Sequence, residues 1–160
     1  MTGQTVSNIA IKQIDQTEAH LVVGLFNQYR VFYQQFSDIG MAQAFINERL
    51  QNKESIIFVA IDKSSEQPVG FTQLYPKYSS VRLIKNWVLN DLYVDGNYRK
   101  HGIGESLIKT AMTFAKSQGA KFVQLETAVD NYTAQSLYEA IGFQKQEPET
   151  DFLLYKIEVN

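Results

Sequence analysis

The sequence contains no cysteine. That excludes disulfides, thiolate metal sites and an acyl-enzyme built on a protein thiol. It fits a reducing compartment, and a cytoplasmic location is expected. No run approaches the roughly 18 apolar residues of a spanning helix, so no membrane segment is expected. The N-terminal MTGQTVSNIAIKQ has no basic segment followed by a long apolar stretch, so no signal peptide is expected either. An excess of one charge is also missing: 15 Lys and Arg stand against 17 Asp and Glu, a net charge of -2. A chain so balanced has no bulk attraction to nucleic acid or to an anionic membrane, and neither is an expected partner. No repeat or low-complexity tract breaks the chain, and no metal site is expected.

What is present is ordinary globular composition, 44% hydrophobic and 20% charged over 160 residues. That is one domain's worth, read as a single domain spanning 1–160. A domain this size buries roughly 68–70% of its unfolded surface, enough for one core without staples.

Periodicity predicts alternating strands and helices. NIAIKQI (8–14) alternates as a strand. Residues 15–36 read as a helix with Thr17 as N-cap and Phe26, Tyr29, Tyr33 and Phe36 at helical spacing. A second helix restarts at Gly40 and runs to Asn52. SIIFVAID (55–62) and PVGFTQLYP (68–76) read as a hairpin around KSSEQ. NWVLNDLYV (86–94) is a third strand of that half. A helix follows from Ile103 to Gln118, stopped by Gly119. KFVQLETA (121–128) is a strand, 131–141 a short helix ended by Gly142, 143–147 a short strand and FLLYKIEV (152–159) a final strand. The order points to a mixed α/β sheet with a hairpin-rich front half.

The stretch YRKHGIGESL (98–107) sits where strand 86–94 gives way to helix 103–118. The first amides of a helix lack internal partners and carry the positive end of its dipole. Glycines at 102 and 104 let the backbone approach a ligand closely, and Arg99, Lys100 and His101 add charge. A phosphate or pyrophosphate suits such a site. Two pyrophosphate devices fail here. Gly104-Glu105-Ser106 is not the Gly-Lys-Ser/Thr of a P-loop, and Leu107 stands where the dinucleotide fingerprint needs its third glycine.

A third device matches. Arg99-Lys100-His101-Gly102-Ile103-Gly104 resembles the R/Q-x-x-G-x-G/A motif of the GCN5-related N-acetyltransferases (the GNAT family). Asn131, Ala134, Leu137-Tyr138 and Ile141-Gly142-Phe143 resemble the second signature of that family, N-x-x-A-x-x-L-Y-x-x-x-G-F. The two signatures cover residues 86–146, separated by one helix and one strand as in the family. The layout is most similar to the diamine and thialysine acetyltransferases and their histone-acetyltransferase-like neighbours. The resemblance implies a mixed, mostly antiparallel sheet flanked by helices, with a central pair of parallel strands, 86–94 and 121–128, that splay around acetyl-CoA. It implies a homodimer as well.

It also implies residue roles. Amides from Lys100 to Glu105 (Lys100, His101, Gly102, Ile103, Gly104, Glu105), with Arg99 before them, would hold the pyrophosphate. Backbone at Leu92, Tyr93 and Val94 would pair with the pantetheine as an added strand. Asn131 would bond the cofactor arm, although asparagine there is equally a helix N-cap. Tyr138 matches the family tyrosine near the thioester sulfur. A phenol with pKa about 10 can protonate a thiolate of similar basicity, and the same position also suits a core aromatic.

Without a cysteine nucleophile, direct transfer in a ternary complex is the expected route. It needs a base for the ammonium, an oxyanion donor and an acid for the leaving thiolate. A backbone amide near a β-bulge in 86–94 would serve the oxyanion. The related diamine enzymes read L-E-D where this chain has Leu89-Asn90-Asp91, and asparagine is no base. Asp91, Glu126 or a water chain is left for that task; a strand aspartate can also be a plain ion-pair partner. The expected acceptor is a primary amine on a small molecule, amino-acid-like or polyamine-like. Lys77, Arg82 and Lys85, in place of the acids of diamine binders, favour a substrate that also carries negative charge. Tyr29, Arg30 and Asp38 are further candidates to line the acceptor site. Protein or peptide acetylation and a non-catalytic acyl-CoA sensor are the alternative readings.

Overall fold

The computed structural model describes residues 8–159. Residues 1–7, part of the stretch read for a targeting signal, lie outside it. The chain divides into two compact units, Met1–Glu126 and Thr127–Asn160.

The first unit is built on a five-stranded sheet in sequential order. Its strands are β1 (Ile9–Gln13), β2 (Ile56–Asp62), β3 (Gln67–Ser79), β4 (Ile84–Val94) and β5 (Val123–Gln124). β1 through β4 pair antiparallel, and β4 and β5 pair parallel. The mixed, mostly antiparallel sheet expected from sequence is therefore present, with its one parallel pair where the resemblance put it. Three helices belong to this unit: α1 (His20–Phe32), α2 (Ile39–Gln51) and α3 (Ile103–Ser117).

Alternation along β3 decides which helix covers which face. Phe71 meets Phe26 and Tyr29 of α1 edge-on, with ring centroids 6.2 and 5.7 Å apart. Its neighbour Gly70 points the other way, toward Leu107 of α3. Successive strand residues face opposite sides, so α1 and α3 lie on opposite faces. On the α1 face, Val22, Val23, Leu25 and Phe26 bury with Ala42, Ile46 and Leu50 of α2 against Ile57, Val59 and Phe71. On the other face Ile103, Leu107, Ile108, Ala111 and Ala115 form the buried stripe of α3. A Cβ on Gly70 would stand 3.1 Å from the Tyr93 carbonyl and 3.3 Å from Leu107. The glycine lets α3 close onto the sheet there.

Several boundaries differ from the sequence reading. The cap before α1 is Asp15, not Thr17. The Asp15 carboxylate accepts from the Thr17 amide at 2.8 Å, and Glu18 returns the bond in a capping box around a short 3-10 turn. Helix α1 ends at Phe32 rather than Phe36. Gln34 takes a positive φ of 67°. Asn27 draws the chain back, its amide bonding Ser37 at 2.9 Å and its carbonyl accepting from the Asp38 amide at 2.9 Å. The aromatic stripe thus breaks: Phe26 is buried, whereas Phe36 is 93% exposed. Asp38 is the N-cap of α2, accepting from the Met41 amide at 3.0 Å.

In the second unit α4 (Tyr132–Ile141) is capped by Asn131, whose side-chain oxygen accepts from the Ala134 amide at 3.2 Å. Gln135 donates to the carbonyls of Ala128 and Val129, both at 3.1 Å. Gly142 ends the helix with φ of 123°, and Phe143 folds back so that its ring lies 6.1 Å from that of Tyr138. The strands expected at 143–147 and 152–159 do not form among the described residues. Alternation supplies a strand's pattern, but only a neighbouring ladder supplies its hydrogen bonds.

Candidate active site

The expected strand 121–128 is reduced to two residues. β5 pairs with β4 only at Trp87↔Val123 and Val88↔Gln124. β4 continues to Val94, still paired with β3 along its other edge. From Leu89 onward it therefore has no ladder partner on the β5 side, and the two parallel strands part. Asn86 fixes where they part. It is buried, and its side-chain oxygen accepts from the amides of Lys121 and Phe122 at 2.8 and 3.2 Å. The sequence reading missed it, because a polar residue in a strand looks solvent-facing until its neighbours are known.

Beyond Val94 the chain turns toward α3. Asp95 donates its amide to the Val69 carbonyl at 2.8 Å and caps the turn at Asn97. Tyr98 donates its hydroxyl to Asp62 at 2.7 Å, tying the loop to the end of β2 and holding the Asp62 carboxyl below its usual range. Lys100 and Gly102 both adopt positive φ, 65° and 82°. Gly102 is the N-cap of α3 and has no side chain to cap it, so the first amides of the helix are left for an outside acceptor. Left-handed residues flanking an uncapped helix start make an anion-binding cradle. Such a cradle would suit a pyrophosphate; of the residues expected to hold it, Lys100 to Gly102 form this turn and Ile103 to Glu105 open α3. Ile103 faces the core, and Glu105 pairs with Lys109 at 3.0 Å.

Arg99 has contacts of its own within the chain. Its Nε donates to the Val94 carbonyl at 3.0 Å, and its guanidinium lies over the rings of Phe32 and Tyr93 at 5.5 and 5.4 Å. It braces the end of β4 against α1.

The middle of β4 holds the β-bulge that the resemblance implied for 86–94. Gln73 pairs with Asp91, but Leu74 pairs with Leu89. Asn90 is thus an extra residue, a β-bulge. Trp87 meets Phe114 of α3 at 5.2 Å, whereas Tyr93 meets Tyr29 and Phe32 of α1 at 6.4 and 6.3 Å. In an unbroken strand residues 87 and 93 share a face; the bulge reverses it and carries Asp91 to the α1 side.

There Asp91 is only 4% exposed. Gln73 donates to its Oδ2 at 2.5 Å and Asn90 to its Oδ1 at 2.9 Å. Tyr29 is a third hydrogen-bonding partner, and its hydroxyl also reaches the Asn90 carbonyl at 3.4 Å. Burial pushes the Asp91 carboxyl up; the bonds from Gln73, Tyr29 and Asn90 oppose the shift. Burial and the nearby Asp91 charge push the Tyr29 phenol up strongly and that of Tyr75 up to about 12. Thr72 donates to the Asp91 carbonyl at 2.8 Å, satisfying the bulge's backbone. A buried carboxyl of raised pKa, beside a bulge at the opening of two strands, is suited to taking a proton.

The basic side chains of the preceding loop do not gather at this place. Lys77 donates to Gln124 at 2.8 Å. Lys85 lies over the rings of Trp87 and Tyr78 at 4.7 and 5.6 Å. Trp87 is on the α3 face, opposite Asp91, so Lys85 does not join Lys77 in a cluster around the carboxylate. Asp38 is occupied as a helix cap, and Arg30 donates to the Phe36 carbonyl at 3.3 Å.

Comparison with known proteins agrees with this geometry. Residues 22–143 match the family described as "Acetyltransferase (GNAT) family". An uncharacterised N-acetyltransferase of Bacillus subtilis, YhfO, is 42% identical over 149 residues, covering 93% of this chain and 97% of its own. A probable acetyltransferase of Haemophilus influenzae is 30% identical over 140 residues, covering 88% and 93%. A crystal structure of a probable acetyltransferase superposes with a TM-score of 0.83 at 34% identity, covering 94% of this chain and 98% of that one. The aminoglycoside N-acetyltransferase AAC(6')-Iy in complex with CoA shares the fold at a TM-score of 0.74 and 19% identity, covering 91% and 94%. The splayed parallel strands, the uncapped glycine-led helix and these matches place the chain in the GNAT family, as an acetyltransferase.

Proposed function

We propose that the enzyme moves the acetyl group of acetyl-CoA to a primary amine on a small molecule, by direct transfer in a ternary complex. The observation that carries this reading is the parting of β4 from β5 beside the uncapped start of α3. An extended amide chain ending in a pyrophosphate suits that pair of features. The amides of residues 100–105 take the pyrophosphate, and the open backbone of Leu92–Val94 takes the pantetheine arm. Acetyl-CoA supplies an acyl group activated as a thioester.

Asp91 accepts the proton of the acceptor ammonium, giving a neutral amine. The amine attacks the thioester carbonyl; a backbone amide at the bulge stabilises the oxyanion. The C–S bond breaks, and Tyr138 gives its phenolic proton to the departing thiolate. The second proton of the attacking nitrogen leaves to solvent to give the neutral amide, and solvent exchange returns the proton of Tyr138 and takes that of Asp91. The roles of Tyr138 and Asn131 rest on the family signature they carry. The reading of the whole chain as one catalytic domain rests on the family match, which includes residues of both units. A cytoplasmic homodimer is part of the same proposal. Sedimentation of the purified protein tests the dimer.

The acceptor is amino-acid-like or polyamine-like. The rings of Tyr29 and Tyr33 suit an ammonium group, whereas those of Phe32 and Tyr93 already carry the Arg99 guanidinium. The separation of Lys77 from Lys85 weakens the charge argument against polyamines. A CoA-release assay over amino acids, polyamines, aminoglycosides and peptides decides among them. Turnover of a small amine supports the proposal; turnover of peptides alone overturns it.

A further inference from the structure

Ser55 and Gln73 lie outside every sequence signature of the chain, yet both are buried, at 5% and 0% exposure. The Ser55 hydroxyl donates to Gln73 Oε1 at 2.7 Å, and Gln73 Nε2 donates to Asp91 Oδ2. The chain of bonds has a direction. An ionised carboxylate only accepts, so the glutamine must present its NH₂ to Asp91 and its carbonyl to Ser55. The serine proton completes the sequence. Reversal would require a protonated Asp91 donating to the glutamine carbonyl. Thus the chain in the direction observed suits an ionised Asp91, which accepts at both oxygens.

We propose that Ser55 and Gln73 are positioning residues for the acetyl transfer, forming a directional hydrogen-bond chain that orients Asp91 and keeps it ionised. The inference deepens the assignment of Asp91 as base and rests on that reading for its catalytic consequence. The register supports it. Gln73 stands directly opposite Asp91 only because the bulge at Asn90 shifts the pairing by one residue. Without the bulge, Gln73 would lie opposite Asn90. The other groups on Asp91 are Asn90 of β4 and Tyr29 of α1, with Tyr33 beside Tyr29. Tyr75 of β3 faces it too. Arg49 of α2 and Glu54, which pair with each other at 2.9 Å, act on Tyr75. The Asp91 hydrogen bonds thus come from uncharged side chains. In so buried a place each donor weighs on the carboxyl's affinity for its proton.

The test compares the full-length enzyme with Gln73→Leu, Gln73→Glu, Ser55→Ala and Ser55→Thr. Two readouts are taken: the pH profile of kcat/KM, and the titration of Asp91 by carboxyl ¹³C NMR on aspartate-labelled protein. A hydrogen bond to a charged group is worth about 1.5–3 kcal/mol, which corresponds to roughly one to two pH units. Gln73→Leu should raise the acid limb and the NMR midpoint together by about that much. Gln73→Glu, with a second carboxyl against the first, should raise them at least as far. Ser55→Ala should move both in the same direction by less than about one unit, and Ser55→Thr, which keeps the hydroxyl, should restore them. An NMR midpoint unchanged in folded Gln73→Leu and Gln73→Glu overturns the proposal. The titration needs no turnover. If Asp91→Asn keeps wild-type kcat, the base assignment fails while the midpoint shift still decides the hydrogen-bond chain.

Discussion

The two halves of β4 have the same kind of sequence and opposite uses. The lower half, Ile84–Val88, holds the two residues paired on both edges, Trp87 and Val88, and Asn86 spends its polar group on two backbone amides of the approach to β5. The upper half, Leu89–Val94, keeps its β3 ladder but loses its other neighbour. Its polar residue, Asp91, spends its oxygens on side chains. A buried polar group that satisfies backbone fixes a fold. A buried carboxylate held by side chains can change its proton without unpairing the sheet. The comparison says where variants should cost activity and where they should cost stability.

The largest effect is expected at Asp91. Replacement by asparagine keeps the shape and removes the base, and should lower kcat by about 10²–10⁴-fold, measured at saturating substrates. The acid limb of kcat/KM should vanish with it. In the wild type that limb belongs to a carboxyl raised by burial, so activity should climb with pH at values above the ordinary 3.8. The same raised pKa makes the ionised group a cost to the fold. Its stability contribution is therefore most favourable below pH 3.8 and is lost as pH rises through the raised value. A wild-type rate in Asp91→Asn would erase the functional contrast between the two halves.

Outside the strand, Tyr138→Phe should lower kcat by a similar factor of about 10²–10⁴ while leaving acetyl-CoA affinity nearly unchanged. A change below about threefold, with chemistry rate-limiting, would return Tyr138 to a packing role. Gly104→Val, at the helix start beyond the open half, should weaken acetyl-CoA binding in calorimetry while the circular dichroism stays native. Unchanged affinity in the folded variant would refute the cradle.

The lower half should respond differently. Asn86→Ala takes a buried acceptor from two backbone amides and should cost about 1–3 kcal/mol of stability, read from a denaturant midpoint, with a smaller effect on kcat. The smallest change is expected at Asp38→Ala, where a lost N-cap costs about 1 kcal/mol. That helix start is capped and serves stability, in contrast to the uncapped start of α3. If Asp38→Ala instead altered the KM of the acceptor, Asp38 would belong to the site after all.

Much of this was legible in the chain itself. The glycines at 102 and 104, placed between an alternating strand and an amphipathic helix, announced the uncapped helix start because helix starts and glycine conformations are local physics. The positions of α3 and α4 and the strands β1 to β4 followed from period and stop residues to within a few positions. The absence of cysteine settled which chemistry was closed. Other features depend on partners distant in sequence. The shortness of β5 follows from where it leaves β4, and a period-2 pattern over 121–128 cannot report the loss of a neighbour. The strands expected at 143–147 and 152–159 failed for the same reason. The resemblance implied a bulge in 86–94, but its place at Asn90 could not be read from the chain, since one extra residue is extra only against the register of β3. That single shift put Asp91 on the α1 face, opposite Gln73 and within reach of Tyr29, and sent Lys85 and Trp87 to the other. Sequence named the residue types able to bind a pyrophosphate and move a proton. Tertiary structure alone decided which carboxylate was buried and what held it, because burial and register are sums over contacts that no local pattern contains.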